Sequence, residues 1–439
     1  MKILKFGGTS VGRPDRMREV AKIVTGDDLP KIVVLSALSG TTNGLVEIGL
    51  QLRNKKLQEA RKIIESLYDH YLQFVDELYQ NEPSKSRAVK MINGHFDFMR
   101  SLIQKEFNDV DEKALLAQGE LMSTHMFHYY LQEQNFHSDM LPALEFMAIN
   151  EDDEPDFDYI KVNLNDLISK NPNGSLFITQ GYICLNSEKQ IDNLKRGGSD
   201  YTATLLGAAL SAEKVEIWTD IDGMHNNDPR VVDKTFPIAD LSFNEATELA
   251  YFGAKILHPS SIIPVKEYKV KVQLKNTMAP DAPGTTISSI EKEKEIKAIA
   301  AKDGITAIRI KSTRMLLAYG FLRRVFEVFE KYKTPIDMIT TSEVAVSLTI
   351  DNDKYLSEIV EELNVFGEVM IDRSQTIICI VGNRIAEIKG IVPRIFSSIE
   401  QVPVRMISYG GSKYNVSVLV DTQYKNEALK GLNLGLFDL

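Results

Sequence analysis

KFGGTSVG (residues 5–12) is the stretch on which the reading of this chain turns. A strand-like ILKF carrying Lys5 runs into Gly7 and Gly8, then the hydroxyls Thr9 and Ser10, then Gly12. Two glycines at a strand end let backbone N–H groups approach an anion closely. Thr9 and Ser10 can add donors or cap a following helix, whose N-terminus favours negative charge. Lys5, just before the turn, can reach a transferring phosphoryl group. Neither GxxxxGK[ST] nor GxGxxG is present, and alone GGTS is equally an ordinary tight turn.

Working outward, short apolar runs alternate with helical patterns over the first three hundred or so residues. KIVVLSA (31–37), SLFITQGYI (175–183), KVEIWTD (214–220) and KVKVQLKN (269–276) read as buried strands. The long helical stretch within 45–115 reads as an insertion or lid. Alternation of this kind predicts an α/β domain over 1–290 with a mainly parallel sheet. SSIEKEKEIK (288–297) is charged and lacks a core pattern, which reads as a solvated linker at a domain boundary.

From 298 to 439 the rhythm changes to strand, helix, two strands, helix, twice over. SEVAVSLTID (342–351) lines up with SKYNVSVLVD (412–421), and PIDMI (335–339) with PVRMI (403–407). A repeat of about seventy residues predicts two α+β modules, about 304–372 and 375–439, packed sheet edge to sheet edge.

Composition bounds the function. A chain of 439 residues exceeds one core, and 44% apolar with 26% charged residues is ordinary for a globular protein. No apolar run approaches the roughly eighteen residues of a membrane span, and no signal-peptide pattern opens the chain. Cys184 and Cys379 sit in strand-like runs and read as buried thiols of a cytoplasmic protein. A net charge of −10 argues against nucleic acid as the main partner. The seven histidines form no HExxH or paired CxxC arrangement, so no protein metal site is expected.

Three further polar loops join the opening turn. RGGSDYTATLLGAAL (196–210) opens a helix, with Arg196 able to hold a carboxylate bidentately. Asp200 there could orient a lysine or hold Mg²⁺ near phosphate. WTDIDGMHNNDPRVV (218–232) supplies Thr219, Asp220 and Arg230, and GAKILHP (253–259) supplies Lys255. Such loops gather at one end of a parallel sheet, where ligands bind.

Together KFGGTSV, VVLSALSGTTN (33–43), LLAQGELMST (115–124), KRGGSDYTA (195–203), the TD…DPR loop and GAKILHP resemble, in order, the aspartate kinases of the amino-acid kinase superfamily. The tail resembles paired ACT domains, which are ferredoxin-like. The resemblance implies a three-layer sandwich followed by two ACT modules, and transfer of the ATP γ-phosphoryl group to the side-chain carboxylate of L-aspartate, with Mg²⁺. It implies that Lys5 meets the γ-phosphoryl group and that Asp200 fixes Lys5. It places Ser36, Thr42, Glu120, Arg196, Gly197, Gly198 and Ser199 around the amino acid. It places Gly7, Gly8, Thr9, Thr219, Asp220, His225, Arg230, Lys255 and Ile256 around the nucleotide.

Lys195 stands where a glycine is common, and His225 where a tyrosine is usual. Met315, Phe321, Leu322, Asp337, Ser342 and Glu343 correspond to an effector site of the lysine-sensitive type, whereas Leu317 and Pro335 replace polar residues there. No homoserine dehydrogenase segment is expected. Bare ACT edge strands imply a homodimer.

Overall fold

The computed structural model describes residues 1–195, 197–253, 257–291, 295–311 and 319–439. They form two compact units, one of 1–224 and 257–289 and one of 225–253 with the chain from residue 290 onward.

In the first unit a sheet runs in the order Asp139–Met140, Leu176–Gln180, Lys31–Leu35, Lys2–Phe6, Lys214–Thr219, Lys271–Asn276, Thr285–Ser288. Neighbours are parallel except the last pair. Every residue of KIVVL and LFITQ is buried, as expected where helices cover both faces of a parallel sheet. Side chains alternate across the sheet. Leu4, Phe6, Val33 and Leu35 point into an apolar cluster with Ile64, Tyr71, Phe74, Ile92 and Phe96. Those partners lie on the helices Leu57–Leu78 and Glu82–Ser101, so the long helical stretch continues the core of the sheet. The helix Gly198–Ala209 packs on Lys2–Phe6, Lys31–Leu35 and Lys214–Thr219.

The run SLFITQGYI does not stay one strand. It pairs as Leu176–Gln180, breaks at Gly181 and Tyr182, and resumes as Ile183–Leu185, hairpinned to Ile191–Asn193. Tyr182 adopts φ 69°, a left-handed backbone that ends the extended run.

The second unit holds an antiparallel six-stranded sheet in the order Ile339–Thr341, Ala345–Ile350, Glu295–Lys311, Glu368–Asn383, Asn415–Asp421, Val404–Ser408. The repeat is present, but its halves share their two central strands. Residues 305–311 pair with both 345–350 and 368–375, while 295–302 pair with 377–383. The register shifts between Lys302 and Ile305, around Gly304 at φ 76°. That bulge lets one strand serve two half-cores. The strand already begins at Glu295, inside the charged run read as linker; residues 292–294 lie outside the described residues.

Each half carries its own core. Phe321, Val325, Val328 and Phe329 line one face of the helix Phe321–Lys331 and meet Ile308, Ile310 and Leu348. Ile391, Ile395, Leu429, Leu432 and Leu436 meet Ile378, Ile380 and Val418 in the other half. Cys184 and Cys379 are free and buried, and burial pushes the Cys184 thiol up to about 12. Among the described residues no helix is long and apolar enough to cross a membrane.

Candidate functional site

Lys5 shares a sheet face with Ile3, the face opposite to Leu4 and Phe6, and so points toward the helix Gly198–Ala209. Its Nζ lies 2.7 Å from Asp200 Oδ1, and both side chains are largely shielded from solvent. Asp200 occupies the first turn of that helix, where a carboxylate is favoured by the N-terminal dipole. The approach is built from glycine. Gly197 (φ 72°) and Gly198 (φ 49°) are both left-handed, and a Cβ at 197 would stand 2.5 Å from Ser261 Oγ.

The opening turn is equally tight. A Cβ on Gly8 would lie 2.9 Å from the Ala37 carbonyl oxygen, and one on Gly12 would lie 2.4 Å from Ser39 Cβ. The helix Gly8–Val11 starts from Gly7 with no side-chain cap. Gly7 N–H donates to the Trp218 carbonyl at 3.3 Å, which ties the turn to the neighbouring strand. The two hydroxyls have separate fates. Ser10 is buried, with its Oγ 2.7 Å from Thr277 Oγ1, whereas Thr9 is exposed.

Beside the turn, Ser36 Oγ donates to Ser199 Oγ at 2.9 Å. The next residue, Ala37, donates its backbone N–H to Glu120 Oε1 at 3.2 Å. Glu120 is 4% exposed, and its Oε2 has no hydrogen-bond partner among the described residues. Burial pushes the Glu120 carboxyl up to about 8; the Ala37 donor and the charge of Lys5 act the other way. An orphaned, buried carboxyl oxygen is costly unless a ligand donor completes it. An ammonium group would do so.

Lys5, Asp200, Ser36, Ser199 and Glu120 thus come together, with Gly7, Gly8, Gly197 and Gly198 forming the turns that carry them. Thr42 is exposed on the first turn of the helix Thr41–Arg53; the buried hydroxyl there is Thr41, 3.0 Å from Tyr71 Oη. Thr219 ends a strand of the same sheet, and its Oγ1 donates to Asp220 Oδ1 at 3.2 Å. Arg196, Lys255, Ile256 and Met315 lie outside the described residues. Lys195 forms an exposed ion pair with Asp153.

Two supporting residues escaped the sequence reading. Ser123 donates to the Ser36 carbonyl at 2.8 Å, and Thr202 Oγ1 accepts the Tyr182 N–H at 3.0 Å. Their signal was spacing alone: Ser123 stands one helical turn past Glu120.

In the second unit, His225 Nδ1 is 2.8 Å from Thr235 Oγ1, and Arg230 chelates Asp228 through Nε at 2.9 Å and Nη2 at 2.8 Å. The Arg230 guanidinium beside it holds the Asp228 carboxyl below its usual range. Phe321 is core, packed edge-on against Phe366, and Leu322 is partly exposed. Asp337 is engaged by Lys302 Nζ at 2.9 Å and by Tyr251 Oη at 3.3 Å. Ser342 closes a turn with Ala345, and Glu343 is exposed.

Residues 1–276 match the amino acid kinase family, and residues 378–434 match an ACT domain. Aspartokinase 3, chloroplastic, of Arabidopsis thaliana is 33% identical over 99% of this chain and 81% of its own length. Lysine-sensitive aspartokinase 3 of Escherichia coli K12 is 32% identical over 99% of both. The crystal structure of E. coli aspartokinase III with aspartate and ADP, described as the R-state, superposes with TM-score 0.86 at 31% identity over the whole of both chains. That with lysine and aspartate, described as the T-state, gives 0.79 over 100% of this chain and 99% of the other. The chain belongs to the amino acid kinase family, and within it to the aspartokinases.

Proposed function

We infer that this chain phosphorylates the side-chain carboxylate of L-aspartate with ATP, giving 4-phospho-L-aspartate and ADP. The observation that carries the reading is the Lys5–Asp200 ion pair set at a double-glycine turn, next to an orphaned buried glutamate. E. coli aspartokinase III, similar to this chain over its full length, has been crystallised with aspartate and ADP.

The chemistry suits these groups. The acceptor carboxylate is already ionised at neutral pH, so no general base is required. The barrier is repulsion between two anions, and fixed positive charge lowers it. Lys5 meets the γ-phosphoryl oxygens as charge develops, and Asp200 holds its ammonium on line. Glu120 takes the substrate ammonium, Arg196 its α-carboxylate, and Ser36, Thr42, Ser199 and the Gly197–Gly198 backbone complete the amino-acid pocket. Gly7, Gly8 and Thr9 face the phosphates, while Thr219, Asp220, His225, Arg230, Lys255 and Ile256 hold the nucleotide. Among the described residues no group of three or more His, Cys, Asp or Glu side chains could hold a metal ion. Mg²⁺ would arrive bound to the nucleotide phosphates and screen their charge, as this ion commonly does.

Lysine acts as feedback effector in this reading, at Met315, Phe321, Leu322, Asp337, Ser342 and Glu343, and the working assembly is a cytoplasmic homodimer paired through its ACT modules. Trapping the acyl phosphate with hydroxylamine over a panel of amino-acid acceptors tests the function. Aspartohydroxamate is expected. A different hydroxamate would reassign the acceptor, and none at all would leave the chain a sensor without catalysis. Activity titrated against lysine, threonine and methionine tests the effector, with inhibition by lysine expected.

A further inference from the structure

The segment 225–237 packs on the C-terminal helix Lys425–Phe437 of its own unit, and the contact is unusually polar for a core. Asn226, Asn227 and Asn433 are all buried. Asn433 Oδ1 accepts from Asn226 Nδ2 and Asn227 Nδ2, each at 3.2 Å. Its Nδ2 donates to the Lys234 carbonyl at 3.0 Å and to the Leu439 backbone oxygen at 3.3 Å. An asparagine side chain has two acceptor sites and two donor hydrogens, so all four are used. Three of the four bonds go to the 226–234 loop.

The loop adds bonds of its own. Asn226 Oδ1 accepts the Phe236 N–H at 2.8 Å, Asn227 Nδ2 reaches the Leu429 carbonyl at 3.1 Å, and the Asn226 carbonyl accepts from Ile299 N–H at 2.8 Å. Val232 joins the apolar cluster of that half, and Phe236 packs edge-on against Phe437. Apolar contacts hold the loop down without fixing its orientation, because burial is non-directional. Hydrogen bonds through one buried amide fix its register. The same loop carries His225, half-buried against Thr235, and the highly exposed Arg230 side chain.

We propose that Asn433 is a positioning residue for nucleotide binding: it fixes the 225–237 loop so that His225 and Arg230 are presented in one arrangement, which makes ATP affinity depend on the C-terminal helix. This rests on the assignment of His225 and Arg230 to the nucleotide made above. In the full chain, Asn433→Ala is expected to raise the KM for ATP by about fivefold or more, since several buried hydrogen bonds are lost together. The turnover number and the KM for aspartate are expected to stay within about twofold, a split that general loosening would not give. Asn226→Ala removes a bond to the same amide from the loop side and carries the test if Asn433→Ala does not fold. The double variant should be no worse in ATP KM than the weaker-binding single one. An unchanged ATP KM in the folded variants, or equal rises for both substrates, overturns the proposal. Arg230→Ala separates the two ideas. If it raises the ATP KM while Asn433→Ala does not, only the positioning role falls. If it does nothing while Asn433→Ala raises the ATP KM, the positioning role stands and the Arg230 contact falls.

Discussion

Lys5 and Glu120 are two shielded ionisable groups in opposite situations, one paired with a counter-ion and one not. Lys5 has its counter-ion at 2.7 Å, so removing it strands the Asp200 carboxylate and, in the function proposed above, takes away the cation that meets phosphate. Lys5→Ala is expected to lower turnover by roughly two orders of magnitude or more, measured by the hydroxamate assay on protein whose circular dichroism is unchanged. Burial holds the proton on Glu120 to about pH 8, whereas the unfolded chain releases it near 4.5. Between those values the native state binds more protons than the unfolded state, so stability falls as pH rises, by up to about 1.4 kcal/mol per pH unit. Glu120→Gln should therefore melt higher than the parent protein, by a margin that widens from pH 5 to pH 8 and is absent below pH 4. In the function proposed above, the same carboxyl must ionise to meet the substrate ammonium. Aspartate binding at pH 7 is expected to release close to one proton in calorimetry across buffers of different ionisation enthalpy, and none in Glu120→Gln.

At the level of elements, the geometry of the candidate site depends on loops pressed closer than side chains allow. A Cβ on Gly181 would stand 2.3 Å from Ser199 Cβ and 2.8 Å from its Cα, where the end of the strand Leu176–Gln180 meets the start of the helix bearing Asp200. Gly181→Ala must push that helix start outward. It is expected to cost about 1–3 kcal/mol in urea unfolding and to raise the aspartate KM several-fold by moving Ser199 off Ser36. A normal aspartate KM would show that the hydroxyl pair does not serve the amino-acid pocket. Much of this scale was legible in sequence: parallel strands show as unbroken apolar runs, and glycine pairs after strands mark close approaches. The break at Tyr182 was not, because a tyrosine in a left-handed backbone leaves no mark in an apolar pattern.

Across the whole molecule, the chain leaves the first unit after residue 224, packs residues 225–253 into the second, and returns. Glu248 accepts from Ser412 Oγ at 2.6 Å and from Asn415 Nδ2 at 2.5 Å, so the helix Phe243–Tyr251 is tied to the hairpin of the tail, as the 225–237 loop is tied to its last helix. A chain shortened to end near residue 290 would leave Asn226, Asn227 and Glu248 without those partners. Rapid hydrogen exchange across 225–237 is expected in that shortened chain, against slow exchange in the full one. Protection retained there would mean that the segment is held by the first unit.

Local chemistry and periodicity were written in the chain. The 2.0 and 3.6 repeats of apolar residues are properties of neighbouring side chains, and glycines before a helix declare a backbone approach whatever surrounds them. They were enough for the parallel sheet, the duplicated tail and the approach of Asp200 to a lysine, whereas Ser36 and Glu120 were marked only by the resemblance to a known family. Partners distant in sequence were decided only by folding: the two central strands shared by the repeat, the orphaned oxygen of Glu120, and the amide of Asn433 set against Asn226 and Asn227. A lone polar residue has the same pattern whether it meets water or another buried amide, and only packing in three dimensions selects between them.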